Sequence, residues 1–184
     1  MKKSISIIVI LALSLITMYA QEVKIGGKIG PNFANDTGDG EFDTGSDTKA
    51  GIHLGVVAQM GLSDKFLLQG ELLYSMQGFK DEVTHKLNYI NLPIMANYVV
   101  LENLSIQAGP QFGFNIEDSF EDDDGPGSLD AKGFDLSAVL GAQYAFPSGF
   151  FIQGRYQLGL VDFIDYNTPS KHSVVSFSVG YFFN

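Results

Sequence analysis

The chain has 184 residues, of which 45% are hydrophobic, 12% aromatic and only 17% charged, which excludes a disordered chain and suits one folded domain. It contains no cysteine, which excludes a disulfide framework, a Cys-ligated metal site and a lipid anchor on a cysteine after a signal. The formal net charge of −10 argues against a nucleic-acid partner, because the phosphates would be repelled.

The first 20 residues have the pattern of a secretory signal peptide. Lys2 and Lys3 supply the positive region, residues 5–16 the apolar region, and cleavage is predicted near Ala20. Residues 21–184 then form the mature domain. No later apolar run reaches the roughly 20 residues that a transmembrane helix needs, so a membrane role would have to come from strands.

Eight segments that alternate apolar and polar residues follow, as half-buried strands do. They are residues 23–33, 50–61, 66–79, 87–100, 104–116, 133–146, 150–161 and 172–183. Tight turns at 62–65, 101–103 and 147–149 alternate with longer polar links at 34–49, 80–86, 117–132 and 162–171. This arrangement is typical of membrane barrels and predicts an all-β fold, an eight-stranded antiparallel up-and-down transmembrane β-barrel.

The composition of the two strand faces indicates which face meets lipid. In the fifth segment Ile106 and Phe114 lie on an apolar face, and Gln107 and Gln111 on a polar one. A soluble barrel would turn the apolar face inward, but a polar face with so few Lys or Glu residues is a poor solvated surface. Aromatic residues also fall near the strand ends, as interfacial girdles do. They are Phe66, Tyr98, Tyr144, Phe146, Tyr181 and Phe183 on the turn side and Phe33, Phe114 and Phe134 on the loop side.

Several segments resemble a known family. "LNYINLPIMANYVV", "LSIQAGPQFGF", "FDLSAVLGAQYAF" and "GRYQLGLVDF" resemble the strands of small outer-membrane β-barrel ("porin family") proteins of the Bacteroidetes type. The resemblance spans nearly all of the mature chain and implies an eight-stranded barrel in the outer membrane of a Gram-negative bacterium, with little implied about activity. The C-terminus departs from the family pattern, because the chain ends "GYFFN" rather than on an aromatic residue.

Three charged residues are predicted to meet inside the barrel. Lys28, Glu71 and Arg155 each stand about five residues from the turn side, in the first, third and seventh predicted strands. An eight-stranded barrel is just wide enough for its side chains to fill it, and a buried charge is costly unless paired. The sequence therefore favours a lumen network that plugs the barrel. The alternative is a small-solute channel with these residues as its filter.

The loops provide a possible cation site. Its acidic residues are Asp36, Asp39, Glu41 and Asp43 in the first loop and Asp122, Asp123 and Asp124 in the third. Such oxygen-rich loops can hold Ca²⁺, although the spacing does not fit an EF-hand and acidic runs are usually just solvated. No cofactor is predicted, and the metal, if there is one, stays unknown.

The predicted function is a structural or surface-interaction role through the acidic extracellular loops. The expected surroundings are outer-membrane lipid and lipopolysaccharide, with an extracellular partner possible through the loops, and the protein is expected to be a monomer. A loop-side membrane enzyme is a less favoured alternative, for which His53, Asp135 and His172 lie near the rim. No recognisable nucleophile motif accompanies them, so no enzymatic activity is predicted.

Overall fold

The computed structural model describes residues 23–37, 49–80, 84–122, 125–127, 134–160 and 171–183. These residues form nine β-strands: β1 (Val23–Thr37), β2 (Lys49–Gly61), β3 (Phe66–Lys80), β4 (Thr84–Leu101), β5 (Leu104–Asp122), β6 (Gly125–Gly127), β7 (Phe134–Ala145), β8 (Phe150–Gly159) and β9 (Lys171–Phe182). Within these ranges no helix is long and apolar enough to cross a membrane.

The sheet closes on itself. Its strands follow the order β4, β3, β2, β1, β9, β8, β7, β5, and an additional β4–β5 pairing completes the ring. All pairs are antiparallel, and the three-residue β6 pairs only with the end of β5, outside the ring. The predicted eight-stranded antiparallel barrel is therefore confirmed. Closure leaves no sheet edge with unpaired backbone groups, which would be costly in the hydrocarbon of a bilayer.

Successive residues of a strand mostly alternate between an exposed and a buried environment. On β7 the side chain of Leu140 is 61% exposed whereas its neighbour Val139 is 2% exposed. On β5 Ile106 points outward and Gln107 is completely buried. Because the outward residues are the apolar ones and most of the inward ones are polar, the barrel presents its apolar side to its surroundings. In water such a continuous apolar surface would be an aggregation liability, whereas in a bilayer it is the solvated face.

Aromatic side chains gather at both rims of this apolar band. On the turn side, the rings of Phe66 and Tyr98 are 5.1 Å apart between centroids. On the loop side, Phe114 and Phe134 are 5.5 Å apart. Paired rings at the level where hydrocarbon gives way to headgroups are a feature of outer-membrane barrels.

The strands extend further towards the loops than the sequence pattern suggested. Residues 80–86 were expected to form a long link, but β3 continues to Lys80 and β4 begins at Thr84, and these two residues pair. Thr84 also pairs with Glu121 of β5. Backbone pairing needs no apolar side chain once the strand has left the lipid, so the ladder continues where the apolar alternation stops. The predicted link 117–132 is likewise partly strand, because β5 continues to Asp122 and β6 follows it. The predicted signal peptide and most of links 34–49 and 162–171 lie outside the described residues.

Candidate functional site

A buried carboxylate lies at the centre of the lumen. Glu71 of β3 accepts hydrogen bonds from both terminal nitrogens of Arg155, Nη1 to Oε2 at 2.8 Å and Nη2 to Oε1 at 2.6 Å. The Nζ of Lys28 lies 2.7 Å from Oε2, and Gln69 donates to Oε1 at 2.6 Å. The charged side chains are at most 4% exposed. We call Lys28, Glu71 and Arg155 the ion cluster.

The barrel topology explains why these three side chains meet. Glu71 lies on β3 and Arg155 on β8, which are four strands apart in a ring of eight and so face each other across the lumen. Gly141 of β7 pairs with Arg155, and a Cβ at that position would lie 2.7 Å from the Arg155 Cγ. The missing side chain of Gly141 therefore leaves room for the arginine stem on its way to Glu71.

Amide side chains surround the ion cluster in what we call the amide belt. Its members are Gln59, Gln69, Asn97, Gln107, Gln143 and Gln153, all buried. Gln69 accepts from Asn97 Nδ2 at 2.9 Å, and Gln107 donates to Asn97 Oδ1 at 3.2 Å. Gln143 accepts from Gln107 at 3.3 Å and from Gln153 at 3.0 Å. The belt thus runs from strand to strand around the wall.

The amide belt and the ion cluster form one network. Arg155 Nε donates to Gln107 Oε1 at 3.1 Å, and Lys28 Nζ donates to Gln153 Oε1 at 2.7 Å. A buried charge is tolerated only when it is paired and hydrogen-bonded, and a satisfied buried network fixes the positions of its members. The lumen is therefore crossed at this level by mutually positioned side chains.

Apolar side chains, which we call the apolar layer, pack inside the turn-side half of the barrel. The rings of Phe151 and Phe182 are 4.7 Å apart between centroids, and Val57 packs with them. A Cβ on Gly180 would overlap the Phe151 ring, so only glycine lets this ring lie flat against β9. The sequence reasoning missed this layer. The sequence feature that marks this layer is the pair of adjacent aromatic residues at 150–151 and at 182–183, since each pair places one ring on each face of its strand.

A small polar cavity of about 20 Å³ lies on the loop side of the ion cluster. Lys28 and Arg155 form its floor, and Asn32, His53 and Gln111 are among its walls. On β1, Asn32 lies four residues further towards the loops than Lys28, which places the cavity above the cluster.

His53 and Asp135, two of the rim residues considered for catalysis, bind different partners. The Nε2 of His53 lies 2.8 Å from Ser178 Oγ, inside the lumen. Asp135 accepts a hydrogen bond from Ser137 Oγ at 2.8 Å. Its strand, β7, lies four positions around the ring from β2, which carries His53. The side chain of His172 lies outside the described residues.

The proposed loop cation site also lies outside the described residues. Only the backbone of Asp36 and Asp122 is described, at the ends of β1 and β5. Asp39, Glu41, Asp43, Asp123 and Asp124 fall in the segments that the structure does not describe. In the ranges it does describe, no three His, Asp or Glu residues form a group that could hold a metal ion.

Solved structures of small outer-membrane barrels resemble this one. Ail, the attachment invasion locus protein of Yersinia pestis, was solved with the heparin analogue sucrose octasulfate; it shares 18% identity over 88% of this chain and 99% of its own, with a TM-score of 0.58. Neisserial surface protein A is 10% identical over 90% of this chain and all of its own, with a TM-score of 0.59. The outer membrane protein AlkL in lipid bilayers is 13% identical over 91% of this chain and 93% of its own, with a TM-score of 0.53. At these identities the likeness concerns the fold.

Sequence comparison is more specific about the family. No curated protein matches the chain. The narrower resemblance to Bacteroidetes-type porin-family proteins stays a prediction. The family model for the outer membrane protein beta-barrel domain, however, matches residues 19–165, most of the chain and seven of the eight barrel strands. The chain therefore belongs to the outer membrane protein beta-barrel domain family.

Proposed function

We propose that this protein is a monomeric outer-membrane barrel with a plugged lumen, which acts structurally or through its acidic loops at the cell surface and has no enzymatic activity. The observation that carries the proposal is the hydrogen-bonded Glu71, which Arg155 holds from the opposite wall and Lys28 holds from β1, two strands away around the ring. Opening a path for solutes here would separate a buried ion pair, which costs about 3 to 5 kcal/mol when one partner is lost.

The turn-side apolar layer supports the same proposal. Phe151 is completely buried and lies against Phe182, so a solute that passed the ion cluster would next meet two aromatic rings. A polar filter and an apolar layer in series are poorly suited to the passage of hydrophilic solutes. With transport disfavoured, the surface that remains for function is the loop side.

The charge of the loops narrows the partner class. Residues 34–49 contain five acidic residues and one lysine, and residues 117–132 contain seven acidic residues and one lysine. The sulfated sugar that Ail was solved with is a polyanion. Acidic loops would repel such a ligand, so we propose a basic protein surface, or lipopolysaccharide bridged by divalent cations that the loop carboxylates bind.

The route to the membrane is part of the proposal. Residues 1–20 serve as the signal peptide, cleaved near Ala20, and the apolar outer face of the barrel then contacts outer-membrane lipid. The acidic links alternate with the tight turns on opposite rims of the barrel, which supports an orientation with the acidic loops outside.

Planar-bilayer recording tests the plug. The wild-type barrel should be silent or weakly conducting, because the ion cluster and the apolar layer close the lumen. A large, steady conductance would contradict the proposal and assign the protein as a small-solute channel with Lys28, Glu71 and Arg155 as its filter.

Charge-neutralised loops test the surface role. The acidic residues of 34–49 and 117–132 are replaced by their amides, and vesicles carrying either protein are compared for binding to polylysine and, with Ca²⁺ or a chelator, to lipopolysaccharide. Binding should fall in the variant while its folded mobility on a gel is unchanged. Equal binding by the two proteins would refute a role for the loop charges.

A further inference from the structure

We propose that the cavity above the ion cluster binds a single monatomic anion of the halide class. The cavity lies on the loop side of Lys28 and Arg155 and is separated from the turn side by the amide belt. The proposal concerns the lumen and does not depend on what the loops bind.

The charge balance of the ion cluster is the first reason. Lys28 and Arg155 carry one positive charge each and share the single carboxylate of Glu71. Among the described residues no second carboxylate contacts either cation, so the cluster retains one positive charge in excess. An unbalanced charge is expensive in a low-dielectric interior, and a counter-ion in contact with it offsets that cost.

Unused hydrogen-bond donors at the cavity are the second reason. Gln111 is 3% exposed, lines the cavity, and its Nε2 has no hydrogen-bond partner. An ammonium group has three donors, and that of Lys28 contacts Glu71 and Gln153. A guanidinium has five, and that of Arg155 uses three, two on Glu71 and one on the amide belt. Donors from three walls thus converge on one space.

Asn32 can adapt to an anion. Its Nδ2 donates to Ser75 Oγ at 2.9 Å, and its buried Oδ1 has no partner. The oxygen and nitrogen of an amide exchange places by a half-turn, and a hydroxyl can either donate or accept. Asn32 can therefore accept from Ser75 and turn its Nδ2 towards the cavity.

The size of the cavity defines the ligand class. A volume of about 20 Å³ has room for one or two particles the size of a water molecule. Phosphate, sulfate and carboxylate metabolites are too large, whereas a halide ion fits. Water is the competing occupant, since it could accept from Gln111 and donate to Asn32, and the experiment has to separate the two.

Halide-dependent stability of the full barrel in detergent tests the proposal. The temperature at which half of the protein loses its folded gel mobility is measured in sodium bromide and in sodium gluconate at equal ionic strength. We expect that temperature to be about 2 to 4 °C higher in bromide. Lys28→Met cancels the excess charge and should abolish the difference. Lys24→Met, the same substitution at an exposed position four residues earlier on β1, should preserve it.

A second variant and a second measurement complete the test. Gln111→Leu leaves the ion cluster intact and should also remove the bromide effect, which covers the case in which Lys28→Met does not fold. Anomalous scattering from bromide-soaked crystals should show one peak within hydrogen-bond distance of Lys28 and Gln111. Equal midpoints in bromide and gluconate would show that the cavity holds water, and a peak without a midpoint difference would mean binding at crystal concentration only. Either result overturns the proposal.

Discussion

Replacing Glu71 by glutamine removes the carboxylate that Lys28 and Arg155 share. The introduced amide keeps one acceptor but brings two N–H donors into a space where two cations and the amide of Gln69 already point donors at the same oxygens. The substitution is nearly isosteric, so its effect reports on charge and hydrogen bonding rather than on packing.

The expected cost follows from what is left unpaired. Removing one partner of a buried ion pair typically costs about 3 to 5 kcal/mol, and here both cations lose their partner. Arg155→Met removes the two donors to Glu71 and the donor to Gln107, but it should cost less, about 1 to 3 kcal/mol, because Lys28 still neutralises Glu71 at 2.7 Å. The order of the two costs, with Glu71→Gln the larger, is the specific expectation.

Urea unfolding of the barrel in lipid vesicles, followed by gel mobility, measures both variants. Glu102→Gln is the matched control, since the same substitution is made at an exposed turn residue and should change the free energy of unfolding by less than about 0.5 kcal/mol. If Glu71→Gln costs less than Arg155→Met, or no more than the control, Glu71 is not the centre of the network and the account of the lumen is wrong.

Further outcomes are expected for the lipid face and for the apolar layer. Leu140→Arg, near the middle of β7, should lower the free energy of unfolding by about 2 to 4 kcal/mol. Leu101 is similarly exposed but lies at the turn-side rim, so Leu101→Arg should cost about 0 to 1 kcal/mol. Equal costs in the urea assay would indicate that no bilayer covers this face. Gly180→Ala should cost about 1 to 3 kcal/mol because the added methyl group would overlap the Phe151 ring. Gly70→Ala is the control and should be nearly neutral, because no atom lies within 4 Å of the added methyl group. A harmless Gly180→Ala would show that the ring can move aside. Unboiled wild-type protein should also migrate differently from boiled protein on a detergent gel, and identical mobility would argue against a closed barrel.

Much of the fold could be predicted because the period of the pattern is the period of the strand. Alternation along 104–116 and 133–146 assigns each residue to a face, and the alternation of tight turns and long links gives an antiparallel order. The ends of the strands could not be predicted in this way. Lys80 and Thr84 pair through backbone groups that every residue possesses, so no side-chain pattern marks them.

The lumen could be predicted only in part. Counting residues from the turn side places Glu71 and Arg155 at one height on opposite walls, so the sequence alone predicts their contact. The hydrogen bonds of the amide belt depend on side-chain conformations that spacing does not determine. The inward rings of Phe151 and Phe182 were missed because their neighbours Phe150 and Phe183 are aromatic as well. With two aromatic residues in a row, the alternation of apolar and polar residues does not indicate which ring points inward.

The pairing of β1 with β9 has a consequence for how the molecule assembles. Ile29 pairs with Val179, so the contact that completes the ring joins residues from opposite ends of the chain. Contacts between such distant residues form slowly, because the entropic cost of closing a long loop comes before the contacts stabilise the fold. Until β9 arrives, β1 and β8 both expose unpaired backbone groups, each of which costs several kcal/mol in hydrocarbon. Insertion and ring closure should therefore occur together, and a chain that lacks β9 should remain outside the bilayer rather than persist there as a seven-stranded intermediate.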